Sequence, residues 1–119
     1  MKIAITCQGK SLEDALDQRF GRATNILLVD TETHFIDIID NEAMAPSGGA
    51  GIAAAQRMVD QGVTAVITGQ IGPNALRVFQ AADIHLYQGI PGSAKSNLEA
   101  FNKNQLSDLE RFVPSHSGQ

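Results

Sequence analysis

A single cysteine, Cys7, stands among 119 residues; it excludes an internal disulfide, and no Cys/His pair has zinc-site spacing. Long apolar runs are missing as well. Nothing approaches a membrane span, and the opening residues enter a strand pattern at once, without the apolar stretch of a signal peptide. The expected compartment is the cytoplasm. Positive charge is scarce: nine Lys and Arg against thirteen Asp and Glu give a formal net charge of −4, so the chain as a whole is no match for nucleic acid. Also absent are a phosphate loop ending in Gly-Lys-Ser/Thr, a dinucleotide fingerprint after a strand, a serine elbow and paired catalytic carboxylates. These absences point away from an enzyme.

What remains is the composition of an ordinary globular domain, 43% hydrophobic and 18% charged. The expected domain spans residues 1–112, with 113–119 as a flexible C-terminal tail. Residues 2–7 and 26–29 are apolar and β-branched, predicting buried strands, and 35–39 the hairpin partner of the second. Residues 11–16 predict a short helical turn or an ordered loop. The second half changes rhythm. A helix is predicted over 50–61, with Ile52, Ala55, Met58 and Val59 inward and Gly62 as its stop. Strands follow over 63–68 and 84–87. Between them Gly72-Pro73 opens a helix with Ala75, Leu76 and Phe79 inward, and Ser93 caps a third bearing Ala94, Leu98 and Phe101. Leu106, Leu109 and Phe112 are placed to pack back on the core. The pattern predicts an α/β layer structure with a mixed sheet of about five strands.

In such sheets ligands bind beyond the carboxyl ends of the parallel strands. The segments predicted there, with the loop before the first helix, hold Gly9, Gly48, Gly49, Gly51, Gly69, Gly72, Gly89 and Gly92, eight of the eleven glycines. No Asp or Glu occurs in 43–59, 68–82 or 84–98. An edge of glycine turns, backbone amides, Lys10, Arg19 and Arg22 suits an anion. A loop that merely needs unusual backbone angles has the same glycines. Other candidates carry two readings each. Cys7 is a buried apolar residue or a soft-metal thiolate contact. Arg19 and Arg22 pair with Asp14 and Asp17 on the surface or reach a ligand.

Four motifs carry a family resemblance: Asp17-Gln18-Arg19-Phe20-Gly21-Arg22-Ala23, Gly48-Gly49-Ala50-Gly51, Val66-Ile67-Thr68-Gly69-Gln70-Ile71-Gly72-Pro73-Asn74-Ala75 and Tyr87-Gln88-Gly89. In this order, over about residues 1–106, the chain resembles the dinitrogenase iron–molybdenum cofactor accessory family, which includes the NifX and NafY carriers. The resemblance implies a ribonuclease H-like three-layer fold with a five-stranded mixed sheet of order 3-2-1-4-5, strand 2 antiparallel. As a single short domain the chain is similar to the orange proteins, which bind a molybdenum–copper sulfide cluster non-covalently. It therefore implies carriage of an anionic metal–sulfur cluster, of the molybdenum–copper or iron–molybdenum type, rather than turnover. The positions carried over are Arg19, Phe20, Gly21 and Arg22; Gly48, Gly49 and Gly51; and Gly69, Gly72, Pro73 and Asn74. Ala50, Gln70 and Gly89, within the same motifs, are added as candidate cofactor contacts, and Cys7, from its thiol, as a candidate cofactor and metal contact. The runner-up reading is an interaction module of an iron–sulfur ATPase or cell-division system, and behind it a nuclease. A monomer or weak dimer is expected.

Overall fold

The computed structural model describes residues 1–40 and 50–109. Five strands form one sheet in the order β3-β2-β1-β4-β5: β1 Lys2–Cys7, β2 Asn25–Asp30, β3 Ile36–Asp40, β4 Ala65–Thr68 and β5 His85–Gln88. β2 runs antiparallel to β1 and β3, whereas β4 is parallel to β1 and β5 to β4. Among the described residues three α-helices flank the sheet: α1 Ala50–Asp60, α2 Pro73–Ala81 and α3 Ala94–Asn102. Strand order and the reversed second strand are those implied by the resemblance.

Strands β1 and β4 are apolar on both faces because helices cover both. Ala4 stands opposite Leu28 and Val66, and with Met58, Leu76 and Phe79 these form the core beneath α1 and α2. Ile3, Ile5 and Cys7 alternate to the other face, where Leu27, Ile67 and Ala94 of α3 meet them. α1 stops at Gly62, whose φ of 79° lets its N–H reach Val59 O (3.1 Å) and the Val63 N–H reach Met58 O (3.2 Å).

Three expectations shift. The hairpin strand begins at Ile36 rather than at residue 35, because His34 takes a left-handed φ of 64° and turns Phe35 outward. On α1 the inward stripe is Ala54, Ala55 and Met58, while Ile52 is 43% exposed at its margin. On α3 the centre of the buried stripe is Asn97, with Leu98 and Phe101 only half-buried. A polar residue holds that position because Asn97 donates to Ile90 O and Ser93 O (2.9 Å each) and accepts from Ile90 N (2.7 Å). Leu106 and Leu109 pack on the core as expected, the Leu109 N–H bonding Leu86 O at 2.9 Å. Phe112 and the tail 113–119 lie outside the described residues.

Candidate functional site

Residues 8–20 decide which parts of the carboxyl edge stay open. They form neither a helix nor a free loop but an ordered strap laid across the strand ends. Leu16 bridges Cys7, Ala15 bridges Ser93, and Arg19 bridges Gln70. The Thr6 hydroxyl donates to Asp17 O (2.6 Å), the Asp17 N–H to Thr6 O (2.9 Å), and the Phe20 N–H to Gln70 O (2.9 Å). The strap consumes glycines that the sequence offered to a ligand. A Cβ on Gly69 would collide with Gln18, one on Gly89 with Leu16, and one on Gly9 with Asp14. Gly69 and Gly89 thus serve close packing against the strap, and Gly9 the strap's own fold-back onto Asp14. It also brings carboxylates onto an edge expected to lack them: Asp14 folds over Gly9 and accepts from Ser11, and Asp17 is buried, accepting from the Arg19 N–H (3.0 Å).

Two helix N-termini at this edge differ accordingly. At α3 the Ala94 and Lys95 N–H groups reach Asp14 O and Leu12 O (2.8 Å each), and Ser96 N–H reaches Ser93 Oγ (3.0 Å). Its orphan donors are spent. At α2 the N-cap is Gly72, which has no side chain to offer, and Pro73 brings no N–H. The Asn74 and Ala75 amides, second and third in the helix, have no intrahelical acceptor and carry the positive end of its dipole. They border a groove of about 270 Å³ lined by Phe20, Gly21, Ile52, Gly72, Pro73, Asn74 and Ala75. No carboxylate is among those residues. Phe20 is locked edge-on against Phe79, ring centroids 5.3 Å apart, which fixes the apolar wall.

Of the sequence-predicted site residues, the groove gathers Phe20, Gly21, Gly72, Pro73 and Asn74. Gln70 joins the strap to β4, and Arg19 stands beside it, its Nε 3.4 Å from Asp17 Oδ1 with more than half its side chain exposed. Gly51 and Ala50 start α1; Arg22 ends a single 3-10 turn, Phe20–Arg22. Gly48 and Gly49 lie outside the described residues. Cys7 is elsewhere: fully buried on the α3 face, its thiol near Ser11 O (3.7 Å) and burial pushing its pKa up. Among the described residues no three His, Cys, Asp or Glu side chains gather to hold a metal ion.

Sequence reasoning missed two lining residues, Ile52 and Ala75, both read as core, and a third residue, Arg77, beside the groove. Ile52 was assigned to the core by a periodicity that cannot tell a stripe's margin from its centre. Arg77, exposed one turn beyond Asn74, donates to Asn74 Oδ1 at 3.1 Å and so stands beside the groove. The i, i+3 spacing of Asn74 and Arg77 was the available signal.

Sheet, strap and groove together define a class: an α/β domain whose open edge, among the described residues, offers the Asn74 and Ala75 amides with the Arg77 guanidinium beside them. Residues 1–104 match the sequence model of the dinitrogenase iron-molybdenum cofactor family. The chain belongs to that family. It is 30% identical to an uncharacterized protein of Methanocaldococcus jannaschii over 92% of each chain. Among solved structures it is similar to the apo form of the orange protein from Desulfovibrio gigas, at 34% identity and TM-score 0.84 over 90% of this chain and 91% of that one. A protein from Thermotoga described as a candidate NifB protein superposes with TM-score 0.85 at 29% identity, covering 97% of this chain and 98% of that one.

Proposed function

We propose that this protein is a non-catalytic carrier whose cargo is an anionic, molybdenum-containing metal–sulfur cluster of the molybdenum–copper sulfide type. The observation that carries the reading is the groove: uncapped amides of Asn74 and Ala75, an Arg77 guanidinium beside them, and the apolar walls Phe20 and Ile52. Sulfide and oxide ligands accept hydrogen bonds from such amides, and the helix dipole favours their negative charge. The apolar walls suit soft sulfide faces. Membership of the family and likeness to the orange protein supply the metal–sulfur identity of the anion. The cluster is held without a thiolate, because Cys7 lies on the far side of the sheet from α2.

The test mixes the protein with tetrathiomolybdate and a copper salt, then desalts. Charge-transfer absorption should travel with the protein, and Cys7→Ser should retain it in full. Absorption left entirely in the small-molecule fraction removes the carrier reading; loss in Cys7→Ser alone replaces groove binding by thiolate ligation. A nuclease would need a carboxylate cluster for its metals, and β1, Lys2–Cys7, contributes none. Magnesium-dependent nuclease activity in a clean preparation would reverse that exclusion.

A further inference from the structure

The opposite end of the sheet, where β1 begins, has a depression of its own. It measures about 240 Å³ and is lined by Lys2, Leu28, Asp30, Thr33, Phe35 and Asp37. Lys2 is the register partner of Asp30 and Leu28 of Asp37, so these four side chains share one face of the sheet. Phe35, at 67%, is the most exposed large apolar side chain among the described residues. The left-handed turn at His34 delivers it there. No Lys or Arg occurs between residues 23 and 56, and the nearby Lys2 ammonium is already engaged with Gln61 O (2.9 Å). Asp30 spends Oδ1 on the N–H groups of Glu32 (2.9 Å) and Thr33 (3.2 Å), and Asp37 spends Oδ1 on Ile38 N–H (2.9 Å). Each carboxylate keeps a second oxygen for an incoming donor.

An exposed ring beside two carboxylates is the environment that a guanidinium fills: its edge bonds the oxygens and its face stacks on the aromatic. We propose that this depression docks a basic segment of a protein partner, one arginine side chain lying on Phe35 with its donors turned to Asp30 and Asp37. A second copy presenting the same hairpin brings like charges together, and an anionic membrane surface is repelled by them. The position gives the pocket its use. It lies at the amino end of β1, whereas the α2 groove lies beyond the carboxyl ends of the parallel strands, so a partner can be engaged while the groove stays clear. The inference stands independently of what the groove holds.

The experiment titrates the full-length, isotope-labelled protein with the peptide acetyl-Gly-Leu-Arg-Leu-Gly-amide, reading amide shifts by NMR at low and high salt. The citrulline peptide, neutral and nearly isosteric, is the control. Shifts should concentrate on residues 28–37, and affinity should fall about ten-fold with citrulline or in Phe35→Ser, the scale of a lost charge-assisted contact. Asp37→Asn should fall in the same direction, while Glu13→Gln, at an exposed position of the strap, changes little. The amide spectrum of each variant reports that it is folded. The proposal is overturned by absence of binding, by equal affinity for the citrulline peptide, or by shifts scattered over every acidic surface. It is equally overturned if Glu13→Gln weakens binding as much as Asp37→Asn, because net charge alone is then responsible.

Discussion

Asn97 shows how one buried polar side chain fixes a loop. Its amide makes three bonds to residues 90–93, pinning the turn after β5 to the first turns of α3. Asn97→Ala leaves the Ile90 N–H and two carbonyls without that partner, at a cost of about 2–4 kcal/mol. Urea unfolding measures it. Cys7 gives a pH dependence. Burial favours the neutral thiol, so its folded pKa stands above the unfolded one. The contribution is fully present below the unfolded thiol value of about 8.5 and is lost as pH rises through the folded value. Unfolding free energy should therefore fall more steeply on the alkaline side for the native chain than for Cys7→Ala. Identical pH slopes would mean that the thiol ionises as freely in the fold as in the unfolded chain.

Helix N-termini make the argument at the scale of elements, because the same secondary structure has two fates here. α3 begins with Ser93 and receives the strap's carbonyls, whereas α2 begins with Gly72-Pro73 and receives nothing from a side chain. The N-cap Gly72 has φ −77° and ψ 164°, and a Cβ there meets no atom within 4 Å. Any L-residue fits, so glycine at this position is not required by the backbone. Gly72→Asp would place a carboxylate over the Asn74 and Ala75 amides. Stability should hold or rise by a few tenths of a kcal/mol, as for an N-cap Asp in place of Gly, while retention of the tetrathiomolybdate–copper absorption is lost. Thermal melting and desalting read the two effects separately. A variant that binds undiminished would show that the α2 amides do not hold the cargo.

These elements were also the legible part of the chain. Apolar runs at 2–7 and 63–68, the Ser93 cap and the Gly62 stop are local signals, and strand order followed from them with the family resemblance. The groove was half legible. Phe20, Gly21, Gly72, Pro73 and Asn74 sit in motifs that the sequence displays, but nothing local shows that Gly69 and Gly89 are taken by the strap. That depends on Gln18 and Leu16 crossing the sheet's end, a contact between segments some fifty and seventy residues apart in sequence. Asp14 and Asp17 reach the edge by the same route, which sequence windows of charge cannot reveal.

Across the whole molecule, charge is unevenly placed, although the strap sets Asp14 and Asp17 on the carboxyl edge. Asp30, Glu32 and Asp37 gather at the hairpin, while residues 61–82, which hold β4 and all of α2, contain no carboxylate at all. The placement matters because a net charge of −4 would otherwise repel an anion from every side. Locally, the α2 dipole and Arg77 oppose that charge, and Arg77 has no acidic partner among the described residues, its guanidinium resting on the neutral Asn74 amide. Arg77→Gln should therefore weaken retention of the tetrathiomolybdate–copper absorption about five-fold, an exposed guanidinium being worth about 1 kcal/mol here. Raising the salt should weaken the native protein in the same direction and shrink the difference between the two, since both effects are screened over a distance of about 10 Å or less. Asp37→Asn, at the other end, should leave retention unchanged. Equilibrium titration of the cluster against the three proteins at low and high salt separates the local field from the global one. If Asp37→Asn strengthens binding as much as Arg77→Gln weakens it, the groove responds to net charge and has no field of its own.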